Sequence, residues 1–150
     1  MTYFLRNKLP KYFISVIYFL SLLYIVFFAR RRKMIIPEGE RINIYPLANK
    51  WKYLFAYPSR MEDMGRFNFY SDFIGNILLF IPLPLFLLFV LRMTGYKKVI
   101  LVSIITSIVI ETIQYILDIG VADIDDVILN TTGAVAGVLI AMVIKKMKWA

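Results

Sequence analysis

The sequence predicts an all-α fold: an integral membrane bundle of four transmembrane helices with an aromatic, basic interfacial segment between helices one and two. Three observations predict it. Of 150 residues, 60% are hydrophobic and the mean hydropathy is +0.69, well above the roughly half-apolar mix of soluble domains. Four apolar runs of 18 or 19 residues lie between charged flanks, and each would reach about 27 Å as a helix, enough to cross the hydrocarbon core. The basic residues that leave a net charge of +8 sit in short clusters beside these runs, a pattern that suits anionic lipid headgroups. Membrane lipids are therefore the expected partners, and nucleic acid is not.

The runs are 12–29, 73–91, 99–117 and 127–144 in a single membrane domain spanning 1–150. The first is too long for a signal-peptide core, and Arg30, Arg31, Arg32 and Lys33 follow it as a stop signal, so it reads as a retained helix. In the long loop after it, NIYPLANKWKYLFAYP (43–58) spaces Leu47, Trp51, Leu54 and Phe55 helically, with Lys50 and Lys52 elsewhere around the turn and Pro58 to end it. That pattern fits either a helix lying in the headgroup layer or a packed loop with its aromatics in the interfacial belt. In the second run Pro82 and Pro84 are expected to bend the helix and free carbonyls near its middle. In the fourth, Gly133 and Gly137 form a GxxxG extended by Ala134 and Ala136, the signature of close helix packing. Gly75 is expected to let another helix approach.

Loop charge sets an orientation. The short loop 92–98 and the Lys145, Lys146, Lys148 tail are basic, which places them in the cytoplasm under the positive-inside rule and puts both termini there. The basic first long loop opposes this assignment. The loop 118–126 carries four aspartates and no Lys or Arg, and it falls on the outer side.

The chain contains no cysteine and no histidine, which excludes disulfides, thiolate nucleophiles, imidazole bases and the usual zinc ligand sets. Polar chemistry is concentrated in VIETIQYILDIGVADIDDVILNTTG (109–133). With four antiparallel crossings, Asn76 near the start of helix two, Glu111 near the end of helix three and Asn130 near the start of helix four lie at one face of the membrane. Glu111, Gln114 and Tyr115 share a helix face, as do Asp126 and Asn130. The N-termini of helices two and four, with their positive dipole ends, would point into this layer. Ser71 or Asp72 could cap helix two, and Asp125 or Asp126 helix four. Glu111 lies inside a hydrophobic run, where an ionisable group is a functional candidate by default.

NIYPL (43–47), FIGNILLFIP (73–82), IETIQ (110–114) and DIDDVILNTTGAVAG (123–137) resemble, in order and spacing, the motifs of the VanZ-like family, from about Arg41 to Ile144. The resemblance implies a multi-helix protein of the bacterial plasma membrane, often Gram-positive, with a cell-surface role in tolerance to glycopeptide antibiotics such as teicoplanin. It carries over to Asn43, Pro46, Asn76, Pro82, Glu111, Gln114, Asp123, Asp126, Asn130 and Gly133. Many relatives have an arginine shortly before the DIDD stretch where this chain has Gly120, and many have glycine where Pro84 stands. Without that arginine, the acidic cluster must be balanced by a cation, by protonation or by a base from the first long loop.

Three functional readings follow. In the favoured one, a non-enzymatic surface protein uses a polar cleft built from Asn43, Asn76, Glu111, Gln114, Asp123, Asp126 and Asn130 to bind an amphiphile at the outer leaflet. A lipoglycopeptide antibiotic or a cell-wall precursor lipid would be such a partner. In the second, a membrane enzyme acts on a lipid-linked envelope precursor, with Glu111 as general base and a divalent cation such as Mg²⁺ on Asp123, Asp125 or Asp126. In the third, Glu111 is the carrier site of a small proton- or cation-coupled transporter, which four short helices could form only as an oligomer.

Overall fold

The computed structural model describes residues 8–29, 42–46 and 63–147. The Arg30–Lys33 cluster and the interfacial segment from Leu47 to Pro58 lie outside these described residues. The first helix, α1, runs Lys8–Tyr24 and widens into a π-helical turn over Ile25–Ala29. After the two-residue strand β1 (Ile42–Asn43) come α2 (Asp63–Phe80) and α3 (Pro82–Phe89). Helix α4 (Tyr96–Ile116), strand β2 (Ala122–Asp123) and helix α5 (Ile124–Met147) complete the chain. Among the described residues, four helical spans are long and apolar enough to cross a membrane: Pro10–Phe27, Phe69–Phe89, Tyr96–Ile116 and Ile124–Met147. The all-α four-helix bundle is therefore as the apolar runs predict.

Helix boundaries differ from the hydropathy pattern in informative ways. Helix two starts at Asp63 rather than Phe73, because Arg66, Asn68, Ser71 and Asp72 lower the local hydropathy without breaking the helix. Ser71 and Asp72 thus lie inside α2 and do not cap it. Its N-terminus is about 20 Å from Asn76 at helical rise, so among the described helices it is the N-terminus of α5, and not that of α2, that points into the polar layer. Lys97 and Lys98, expected in a loop, belong to the first turn of α4, whose entry is formed by Gly95 at a φ of 90°, a conformation open to glycine.

The prolines act where expected. Pro82 occupies the first turn of α3, where its missing N–H costs nothing. Ile81 between the helices keeps right-handed dihedrals (φ −57°, ψ −44°), so α2 and α3 form one interrupted span. Next to the interruption, the Leu79 carbonyl accepts a 3.0 Å hydrogen bond from the Tyr18 hydroxyl, which ties α1 to this span.

Helix α5 is the centre of the bundle and packs on α2, α3 and α4. A Cβ added at Gly133 would overlap the Ile77 carbonyl, and one at Gly137 the Ile81 carbonyl. Both contacts advance together, so α2 and α5 run parallel at backbone contact, as the GxxxG predicts. Gly75 does not serve such an approach: a Cβ there would meet nothing within 4 Å. Phe80, Leu83, Leu87, Leu88, Val99 and Val138 form the core between the helices.

Candidate functional site

On α4 the buried residues are Val99, Ser103, Ser107, Glu111 and Gln114. Steps of four, four, four and three trace one stripe along a helix of 3.6 residues per turn. The stripe is polar from Ser103 onward, while Leu101, Ile105, Ile108 and Val109 face outward. Hydrocarbon imposes this inversion, since polar groups must find partners inside the bundle. Tyr115, expected on the Glu111 face, is 39% exposed and points away.

Helix α5 answers with its own stripe of Asp125, Asp126, Asn130, Gly133 and Gly137, all buried. Because α4 and α5 are antiparallel, Asn130 meets Ser107, and its Nδ2 donates to Ser107 Oγ at 2.9 Å. Asn130 Oδ1 is buried and has no hydrogen-bond partner among the described residues. Asn76 of α2, 2% exposed, is brought into this layer by the contact of neighbouring Ile77 with Gly133.

The turn between α4 and α5 closes the layer. Helix α4 ends with Ile119 N–H bonded to Gln114 O (3.0 Å) and Asp118 N–H to Tyr115 O (3.3 Å). Asp118 adopts a left-handed φ of 53°, the arrangement that satisfies the last carbonyls of a helix. Gly120 then passes close to Gln114, where an added Cβ would lie 3.4 Å from Gln114 Cβ. The Gln114 amide reaches the other way, donating from Nε2 to Val26 O at 2.8 Å, within the π-helical turn after α1.

Asp123 joins three parts of the site. Its backbone N–H donates to Glu111 Oε2 at 3.1 Å. Its Oδ1 accepts from the Asp125 N–H and from Asn43 Nδ2, both at 2.9 Å. The first of these makes Asp123 the N-cap of α5; Asp125 and Asp126, expected as candidate caps, are buried in its first turn. The second is reinforced by the backbone, because β1 and β2 pair in parallel with Ile42 opposite Ala122 and Asn43 opposite Asp123. Asn43 Oδ1 in turn accepts the Tyr45 N–H at 3.2 Å. Asn43, the first residue of NIYPL, is thus physically joined to the DIDD motif.

The structure brings Asn43, Glu111, Asp123, Gln114, Asn76, Asp126 and Asn130 to one end of the bundle; helix order alone predicts this for Asn76, Glu111 and Asn130, whereas Asn43 was indicated by the family resemblance. Pro46 lies beyond β1 and is exposed. Ser103, Ser107 and Tyr18 are additions that the motifs did not indicate. The signal for the serines is the four-residue periodicity leading to Glu111. Among the described residues, no three Asp or Glu side chains gather as metal ligands. A cavity of about 470 Å³ opens beside the layer, lined by Ile25, Ser71, Asp72, Asn76, Leu78 and Leu79 among others.

A sequence model of the VanZ/LLP1 family matches residues 13–145, nearly the whole chain and every site residue named above. The chain belongs to the VanZ/LLP1 family. The VanZ/LLP1 match takes in most of α1, so it reaches further than the motif resemblance that starts at Arg41. One curated relative, Protein VanZ of Enterococcus faecium, is 33% identical over 87 residues, covering 56% of this chain and 54% of the relative. The chain spans about half the length of that relative. No solved structure matches.

Proposed function

We propose that this protein sits in the bacterial plasma membrane with both termini in the cytoplasm, and that it raises tolerance to lipoglycopeptide antibiotics such as teicoplanin. Its polar layer then faces the outer surface. The observation that carries this reading is the gathering of buried polar side chains at one end of the bundle, held to β1 through Asp123, in a chain of the VanZ/LLP1 family. Basic residues Arg92, Lys97, Lys98, Lys145 and Lys146 at the other end support a cytoplasmic location for it.

The cavity beside Asn76 suits an amphiphile. Ser71, Asp72 and Asn76 provide polar partners, and Ile25, Leu78 and Leu79 provide an apolar wall alongside. A polar head enters there while its acyl tail stays at the lipid-facing surface, and the drug or its lipid-linked target is held away from productive contact. The protein acts by binding.

Expression in a sensitive Gram-positive host tests this directly. The inhibitory concentration of teicoplanin rises, and that of vancomycin, which has no acyl tail, does not. An equal rise for both drugs would contradict recognition of the amphiphile, and no rise for either would contradict the resistance role.

A further inference from the structure

At the end of the bundle opposite the polar layer, two cavities adjoin between α1 and α3. One, of about 310 Å³, is walled by Ile14, Tyr18, Pro82, Leu85, Phe86 and Ile144. The other, of about 280 Å³, is walled by Lys11, Tyr12 and Arg92. Lys11, Phe89 and Val90 line both, so the basic space continues into the apolar one.

The position of the pair along the span is as telling as its lining. Lys11 is the second residue of the span that begins at Pro10, and Arg92 follows the span that ends at Phe89, so the basic cavity lies at the headgroup boundary and the apolar cavity reaches into hydrocarbon. A third cation is close by: Lys145 Nζ lies 5.9 Å from the centroid of Phe89 and 5.3 Å from that of Tyr96. No Asp or Glu is among the described residues lining either cavity. The back wall is fixed by an edge-on contact between Phe19 and Phe86 (centroids 4.8 Å apart). Of the two hydroxyl residues of the apolar wall, Ser15 turns its Oγ back to Lys11 O at 2.7 Å and Tyr18 donates to Leu79 O.

We propose that the two cavities form one binding site for an anionic phospholipid of the surrounding leaflet. The phosphate lies between Lys11 and Arg92, where a guanidinium can donate two parallel hydrogen bonds and an ammonium adds a point charge. One acyl chain runs along Phe86 and Pro82. Tyr12, 55% exposed, flanks the headgroup, a usual place for tyrosine at a membrane interface. This site is independent of the polar layer and of any role in resistance.

Native mass spectrometry of the detergent-purified protein tests it, with equal amounts of phosphatidylglycerol and phosphatidylcholine of identical acyl chains. The unsubstituted protein retains phosphatidylglycerol over phosphatidylcholine by about tenfold or more, as expected for two basic side chains facing a headgroup of net negative charge, since in phosphatidylcholine the choline cation offsets the phosphate. The preference falls to near one in Lys11→Gln/Arg92→Gln and is kept in Lys97→Gln/Lys98→Gln, whose exposed side chains line neither cavity. Because Arg92 holds a left-handed φ of 55°, Lys11→Gln alone is the second variant and lowers the preference about fivefold. Ile14→Trp, which fills the apolar cavity, lowers retention of both lipids. Equal retention of the two lipids by the unsubstituted protein would overturn the proposal. An equal loss in the Lys97/Lys98 variant would also overturn it, by showing diffuse charge attraction.

Discussion

Asn43 Nδ2 donates to Asp123 Oδ1 at 2.9 Å across 80 residues of chain, and Asp123 donates its own N–H to Glu111 at 3.1 Å. The first long loop, the turn before α5 and the buried carboxylate of α4 are therefore coupled. Replacing Asn43 by Ala removes the donor and is expected to lower stability by about 1–2 kcal/mol. Asn43→Asp places a second acceptor against Asp123 and costs more. Unfolding of the purified protein in mixed micelles with rising dodecyl sulfate measures both, and an unfolding midpoint unchanged in Asn43→Asp would count against the coupling.

The glycines of the α2–α5 contact give a contrasting pair. A methyl group at Gly133 would overlap the Ile77 carbonyl, and at Gly137 it would also come within 3.2 Å of Pro84 Cγ. Gly133→Ala and Gly137→Ala should each destabilise by about 1–3 kcal/mol as the helices are forced apart. Gly75→Ala, facing open space within α2, should be neutral or stabilising by up to about 1 kcal/mol. Thermal aggregation midpoints in one detergent compare the three, and an equal gain in all of them would mean that helix propensity rather than packing governs.

The Asn130–Ser107 bond predicts a measurable but modest coupling. Ser107→Ala, Asn130→Ala and the double variant form a thermodynamic cycle, with an expected interaction of roughly 0.6 kcal/mol, the usual size inside membranes. Additive losses would show that the 2.9 Å contact contributes nothing.

The absence of native cysteine makes orientation directly testable. Leu117→Cys, at an exposed position beside the acidic turn, should react with an impermeant maleimide in intact cells. Met147→Cys, 74% exposed after the Lys145–Lys146 pair, should react only after permeabilisation. The reverse pattern would place the polar layer in the cytoplasm and remove its access to an extracellular drug.

The four spans were legible because about 20 consecutive apolar residues satisfy a bilayer almost regardless of what they pack against. The one-sided polar layer was legible because alternating crossings fix which helix ends share a face. The start of α2 was not, since a helix leaving the hydrocarbon loses its hydropathy signal while keeping its backbone bonds, as from Asp63 to Asp72. The pairing of β1 with β2 was equally hidden. Two residues of strand carry no periodicity, and their partner lies far away in sequence. Ser103 and Ser107 look unremarkable singly and gain meaning only as the continuation of the Glu111 stripe. The N-cap at Asp123 was missed in favour of Asp125 and Asp126, because three aspartates within four residues leave composition unable to choose among them.

The central claim is that the buried polar layer, and not merely the bundle, confers tolerance. Its most direct test is the inhibitory concentration of teicoplanin beside vancomycin in a sensitive Gram-positive host expressing the unsubstituted protein, Glu111→Gln or Asp126→Asn at matched membrane levels. Glutamine keeps an acceptor for the Asp123 N–H, and asparagine keeps the size of Asp126, so both variants should fold. The teicoplanin-specific rise is expected to disappear in each. A rise that survives both substitutions would contradict it and leave the layer as architecture alone.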